Sequence, residues 1–354
     1  MRIKKVFSRQ YKDTVIVITR KFHGTILGAI SPTNVNDFNV NGVFVWYPVK
    51  YSKIDLLILP FLRLFHIDFD IFLEKRKKRQ NEKILNLCAR YNPKAVYVVQ
   101  GIQLYPGTIR TIKEKCFIAA GMTDRISLFP ELTECLPFYD VLYTYSIEDA
   151  KYAKDLGTES VFVPAQGGEF YKPLNLKRNI DLSFVGVMYP ERLELLKQLV
   201  YDLPDLNIVI YGKYCSRLNF LKNIEWFFDK RLRKCFKNTE ISEKATNKLY
   251  NTSKICLNLN RSNAGNSWAG RFTSILKTKS FQIMTYNEFA YKAFSDSLAL
   301  FTNIEELKHK IRFYIDEEQK RIDMVESCYN KYFDESNGYV FSIGKDILKR
   351  VREK

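Results

Sequence analysis

Short runs of β-branched and aromatic residues recur along the whole chain, separated by stretches long enough for helices. Residues 15–19 (VIVIT), 43–46 (VFVW), 95–99 (AVYVV), 117–120 (FIAA), 141–144 (VLYT) and 160–163 (SVFV) are apolar from end to end rather than alternating. A strand reads this way when both its faces are covered, which happens in parallel sheets flanked by helices. Helical periodicity fills 80–91 and 146–156 between them. A second series starts after Pro173, and two of its strands close on glycine: 181–186 (DLSFVG) and 207–212 (NIVIYG), with 255–260, 281–284 and 298–301 to follow. Helices are expected at about 190–201, from 304 to about 330, and at 343–354. Pro164, Gly167, Gly168 and Pro173 cluster between the two series as a linker would. The expectation is an α/β protein of two domains in series.

Composition narrows the class. Hydrophobic residues make up 46% of the 354, which excludes a disordered chain. No run of about 18 apolar residues free of charge occurs, so no transmembrane helix is expected. The basic start lacks the apolar core of a secretory signal. Seven scattered cysteines without a CxxC pair read as free thiols in the cytoplasm, and three histidines exclude a His-rich metal site. The Asp68-Phe-Asp70 triplet sits in an apolar stretch without a strand-end glycine and reads as incidental, so no metal is expected. Charge is the outlier: 56 Lys and Arg against 39 Asp and Glu give a net +17. That excess implies anionic company, whether nucleic acid, a phospholipid surface or a phosphate-bearing substrate.

The second series carries motifs that go beyond its pattern. Residues 181–192 (DLSFVGVMYPER) and the strand end Ile210-Tyr211-Gly212 resemble the opening of the nucleotide-binding domain in CgeB-like glycosyltransferases. Residues 249–261 (LYNTSKICLNLNR), then Asn266-Ser267 and Arg271, are similar to that family's central signature, and 305–321 to its closing helices. Weaker echoes reach back to about residue 80. The resemblance implies a GT-B architecture: two Rossmann-like domains with parallel sheets facing a central cleft. It implies an acceptor domain at 1–170, a nucleotide-sugar-binding domain at 171–335, and a helix at 336–354 crossing back to the first.

A nucleotide sugar presents a diphosphate, which calls for backbone N–H groups at helix N-termini and for cationic side chains. Gly186 stands where a strand turns into a helix, and Arg192 follows on that helix. Arg261 and Arg271 lie in or after the strand-to-helix segment 260–272, at the edge where open α/β sheets bind ligands. With Tyr189, Tyr211, Asn260, Asn266 and Ser267 they form the expected donor site, and Arg271 is also the expected catalytic cation. The bland alternatives are a tight turn for Gly186, a surface position for Arg192, and capping of the loop or next helix for Asn260, Asn266 and Ser267. Where the family pattern has glutamate, this chain has Ser274, which cannot grip two hydroxyls as a carboxylate does. Lys277 and Lys279 read as solvated.

An inverting transfer needs a general base in the first domain. Asp124 is the candidate, against an Asx-turn or an ion pair with Arg125. His23, Gly101 and Gln103 are expected on the acceptor side. The reading is sugar transfer from a nucleotide-sugar co-substrate to a hydroxyl of a glycan or lipid-linked glycan, with no other cofactor. The alternatives are nucleic-acid binding, prompted by Phe236 within the basic run 230–237, and a GT-B-shaped binding protein without activity. Residues 54–79, apolar and then basic (Lys75-Arg-Lys-Lys-Arg79), read either as a peripheral contact with an anionic membrane or as a buried helix pair with a solvated end.

Overall fold

The computed structural model describes residues 1–19, 30, 35–46, 69–101, 104–122, 124–214, 220–260 and 267–354. These fall into two compact units: Met1–Pro164 with Phe341–Lys354, and Ala165–Val340.

The first unit holds β1 (Arg2–Val6), β2 (Thr14–Thr19), β3 (Asn41–Trp46), α1 (Phe69–Tyr91), β4 (Ala95–Val99), α2 (Pro106–Lys113), β5 (Phe117–Gly121), α3 (Pro130–Thr133), β6 (Val141–Thr144), α4 (Ile147–Asp155) and β7 (Ser160–Phe162). Its seven strands run in the order β1-β3-β2-β4-β5-β6-β7. All neighbours are parallel except β1, which pairs antiparallel with β3. The sequence pattern did not reveal β1, because Arg2-Ile-Lys-Lys-Val6 has the charged character of an edge. Exposed Lys4 and Lys5 guard that edge against further pairing. Every residue of β2, β4, β5 and β6 is buried, as continuous apolar runs require. The chain leaves β2 for β3 on one side and returns to β4 on the other, so the winding reverses between β2 and β4.

The second unit holds β8 (Ile180–Val185), α5 (Pro190–Asp202), β9 (Ile208–Tyr211), α6 (Phe220–Phe228), α7 (Lys230–Cys235), α8 (Glu243–Thr252), β10 (Ser253–Asn258), α9 (Gly270–Lys277), β11 (Gln282–Thr285), α10 (Glu288–Phe294), β12 (Ala299–Phe301), α11 (Ile304–Asp316) and α12 (Glu318–Phe333). Its five strands are all parallel, in the order β12-β11-β10-β8-β9. Here the winding reverses between β8 and β10. The helix expected at 304–330 is two helices broken at Glu317, where Arg321 turns back to donate to the carbonyls of Tyr314 and Ile315. The Pro/Gly segment 164–173 is no loose linker. The Ala165 carbonyl accepts from Trp268 Nε1 at 3.3 Å and Thr273 Oγ1 at 2.6 Å, and Gln166 is bonded to Tyr332 and Tyr339. Trp268, fully buried, anchors a cluster of aromatic rings that includes Phe272, Phe289 and Phe294.

The last helix, α13 (Ile343–Glu353), belongs to the first unit. Ile343 and Ile347 are buried, and Gly344 packs against Ile30 and Phe38 so closely that a β-carbon would lie 2.7–2.8 Å from their side chains. Tyr143, inside the sheet, donates to Asp346 at 2.7 Å, and Arg350 ties Asp346 to Glu159. No helix among the described residues is long and apolar enough to cross a membrane.

Candidate functional site: two arginines on one carbonyl

At a reversal of winding, the helices after adjacent strands leave the sheet on opposite faces, and their N-termini open a crevice at the strands' C-terminal edge. In the second unit that edge carries Gly186 after β8 and Leu259-Asn260 after β10. The Gly186 N–H donates to Tyr211 O at 3.0 Å, which joins the ends of β8 and β9. Gly212 follows with φ +151°, and a β-carbon there would strike the Gly186 carbonyl.

Two helices begin at this edge, and neither has a side-chain cap. Tyr189 precedes α5 and Ala269 precedes α9 without bonding their N–H groups. Their open N-termini therefore keep their partial positive charge. Each first turn adds an arginine. Arg192 Nη2 donates to Leu259 O at 2.7 Å, and Arg271 Nη1 donates to the same oxygen at 3.0 Å. Both guanidinium groups lie over the ring of buried Phe184, at 5.5 and 4.9 Å from its centroid. Arg192 also bonds Val187 O and lies 5.1 Å over the Tyr189 ring.

Arg271 is half-buried, and this loss of water pulls its pKa below the usual guanidinium value. The side chains that act on it electrostatically are the phenols of Tyr250, Tyr171 and Tyr189. Burial pushes the phenol of Tyr250, a neighbour of Arg271, well above its ordinary value, so that phenol stays neutral. Tyr250 stacks on Tyr171 at 6.0 Å, and burial pushes Tyr171 up to about 12. Among the described residues, no Asp or Glu forms an ion pair with Arg271. Two guanidinium groups thus meet at one carbonyl, on the edge where two helices without a side-chain cap begin.

The other expected donor residues are placed as follows. Tyr211 ends β9. Asn260 N donates to Thr285 Oγ1 at 3.3 Å, while its side-chain oxygen and nitrogen are buried without a partner among the described residues. Ser267 is buried with its hydroxyl in the same condition, and it does not cap α9. Arg261 and Asn266 lie outside the described residues. Ser274 is buried beside Tyr171, and a β-carbon on Gly167 would stand 2.9 Å from its Oγ. Lys277 is not solvated: its ammonium donates to Gln166 O at 3.1 Å and Gly167 O at 3.4 Å, and burial lowers its pKa. Lys279 pairs with Glu326. The sequence reading missed Phe184, Tyr250, Tyr171 and the Leu259 carbonyl. The first two stand inside the quoted motifs, so a signal existed, but nothing in sequence says which oxygen a guanidinium will find.

In the first unit, Gln100 and Gly101 follow β4 with φ of +70° and +63°. A non-glycine residue there is strained and needs compensation. Gln100 Nε2 donates to Asp124 Oδ2 at 2.9 Å, and the Tyr139 hydroxyl donates to Gly101 O at 3.1 Å. Arg125 pairs with Asp149 at 3.5 Å. His23, Gln103 and residues 54–68 lie outside the described residues, as does Asp68 of the Asp-Phe-Asp triplet. In α1, Lys75, Lys78 and Arg79 are exposed, while Lys77 lies 4.7 Å over the Tyr105 ring.

Two α/β units with parallel sheets define a class, that of proteins with the GT-B fold. Within it, residues 192–338 match the family described as glycosyl transferase-like. A trehalose-6-phosphate enzyme structure from E. coli bound with UDP-2-fluoro glucose is similar over 97% of this chain and 99% of its own, with a TM-score of 0.62 at 10% identity. Sucrose-phosphate synthase from Thermosynechococcus elongatus matches over 97% and 98%, with a TM-score of 0.60 at 8% identity. A UDP-forming α,α-trehalose-phosphate synthase from Burkholderia xenovorans, in complex with glucose-6-phosphate, matches over 97% and 100%, with a TM-score of 0.60 at 9% identity. At these identities the likeness concerns the fold. No curated protein sequence matches the chain significantly.

Proposed function

We propose that this protein transfers a sugar from a nucleotide-diphosphate-sugar donor to a hydroxyl of a glycan or lipid-linked glycan, as a CgeB-like glycosyltransferase would. The observation that carries the reading is the convergence of Arg192 and Arg271 on Leu259 O, beside Gly186 at the reversal point of a parallel sheet. When the bond to the sugar breaks, charge accumulates on the departing nucleoside diphosphate. Two fixed guanidinium groups and two helix N-termini supply opposite charge at that place, the role a divalent cation plays elsewhere, so transfer proceeds without a metal ion. They are held before the donor arrives, so little reorganisation is needed during the reaction.

In the first unit, Asp124 is the base that accepts the acceptor's proton, oriented by Gln100. The donor is the only co-substrate. A sugar phosphate is a second acceptor class, suggested by the complex of the Burkholderia xenovorans enzyme with glucose-6-phosphate. The exposed cations of α1 suit an anionic membrane, which would bring a lipid-linked acceptor close and make the enzyme peripheral on a cytoplasmic face. Nucleic acid is disfavoured because Phe236 is fully buried and cannot stack on a base.

The test is a thermal-shift screen of UDP-, GDP- and TDP-sugars in EDTA, followed by nucleoside diphosphate release with glycan and sugar-phosphate acceptors. One nucleotide class should raise the melting temperature. Arg271→Ala should lower turnover on the order of a hundredfold or more. Failure of every nucleotide sugar to shift the wild type, with Arg271→Ala indistinguishable from it, would overturn the reading.

A further inference from the structure

The second unit has a surface feature that sugar transfer does not use. Ile224, Phe227 and Phe228 on α6 are 37%, 57% and 74% exposed, and their spacing of three and four places them on one helix face. The two phenylalanine rings meet edge to face, 5.3 Å apart at 86°. Asp229 then caps α7 by accepting from Arg231 N and Leu232 N, so the chain passes directly from an apolar tip into a basic helix. Lys230, Arg233, Lys234 and Lys237 are exposed, and Arg233 Cζ lies 5.7 Å over the Phe227 ring, which puts cation and apolar tip on the same side.

The base under this tip is fixed. Leu232, Cys235 and Phe236 are buried, and Trp226 Nε1 donates to Phe236 O at 3.1 Å. The acidic residues nearby are engaged: Glu225 with Lys197 and Tyr214, Asp229 with the cap and Tyr201. Among the described residues, none of the four exposed cations forms an ion pair with a carboxylate.

We propose that the tip of α6 and α7 docks on an anionic phospholipid bilayer. Phe227, Phe228 and Ile224 enter the boundary between headgroups and acyl chains, and Lys230, Arg233, Lys234 and Lys237 meet lipid phosphates. Charge complementarity selects this occupant, since basic residues beside an inserted aromatic tip bind anionic interfaces. The rings do not suit a nucleic-acid strand: they stand edge to face, and Phe236, the aromatic within the basic run, is buried. The proposal is independent of the donor site.

The test is co-sedimentation of the full chain with phosphatidylcholine vesicles with and without 30% phosphatidylglycerol, at about 0.1 M salt. Wild type should sediment with the anionic vesicles alone. Phe227→Ser/Phe228→Ser and, separately, Arg233→Glu/Lys234→Glu should each lower partitioning about tenfold, with melting temperature and donor-induced shift unchanged. In a Phe228→Trp variant, the fluorescence added by the substitution should be quenched by brominated lipid in anionic vesicles. Undiminished sedimentation of the first two variants overturns the proposal, as does an absence of quenching in the third. Tighter binding to a single-stranded RNA that displaces the vesicles overturns it in favour of nucleic acid.

Discussion

The guanidinium of Arg271 lies where a β-carbon at residue 186 would have to go, so Gly186 is what lets the arginine reach the sheet edge. The φ of Gly186 is outside the left-handed region, which leaves alanine no backbone strain there. Gly186→Ala should therefore keep the fold and displace Arg271. Donor affinity should fall on the order of tenfold, read from donor titrations in the thermal-shift assay, with an unchanged circular dichroism spectrum. An unaltered affinity would mean that Arg271 acts from some other place.

Tyr250 acts on Arg271 by position. Its hydroxyl interacts electrostatically with the guanidinium, and its ring stacks on Tyr171. Tyr250→Phe keeps the packing and removes that polar neighbour, at a stability cost of about 1 kcal/mol or less. Steady-state kinetics should show KM for the donor raised several-fold with kcat changed less, because the cation remains but is less well aimed. A stability loss without a change in KM would reduce Tyr250 to a packing role.

Acid should weaken the second unit at Glu306. Its carboxylate bonds Lys310 and accepts from Thr302 N, and the Lys310 partner foremost holds its pKa at about 2 against an ordinary 4.5. A depressed carboxylate stabilises the fold above its ordinary pKa, and that stability is lost as pH falls toward the folded value. The side chain is about a third exposed, so the effect is small. Glu306→Gln should melt about 1–2 °C below wild type at pH 7. The gap should close between pH 4.5 and 2, and a gap constant with pH would remove the ion pair from the account.

The terminal helix stabilises the first unit through one buried hydroxyl. Asp346→Ala leaves Tyr143 without its acceptor and Arg350 with Glu159 alone. Loss of about 1–3 kcal/mol is expected in denaturant unfolding. Tyr143→Phe in the same background should recover part of it, since an unsatisfied buried group costs more than an absent one.

Strands were legible because burial on both faces leaves a nearly continuous apolar run, as at 95–99 and 141–144. The edge strand β1 was not, since its lysines answer to solvent and to the risk of further pairing rather than to a core. Gly186, Arg192 and Arg271 were legible as types at suggestive positions. Their meeting at Leu259 O was not, because a backbone carbonyl has no sequence signature. Lys277 and the 165–168 segment were misread for a related reason: polar residues look solvated until tertiary packing supplies carbonyls for them. Phe236 erred the other way, an aromatic among cations in sequence that the fold turns into the core.

The split of the first unit between Met1–Pro164 and Phe341–Lys354 has a consequence for synthesis. Ile343 and Ile347 complete a core whose other residues were translated long before. At ribosomal rates the intervening residues take on the order of ten to thirty seconds to make. Throughout that interval the emerging amino-terminal half must wait with a gap where α13 belongs. The second unit, contiguous in the chain, can close as soon as it clears the exit tunnel. The first unit, begun first, is thus completed only after the whole of the second has been translated.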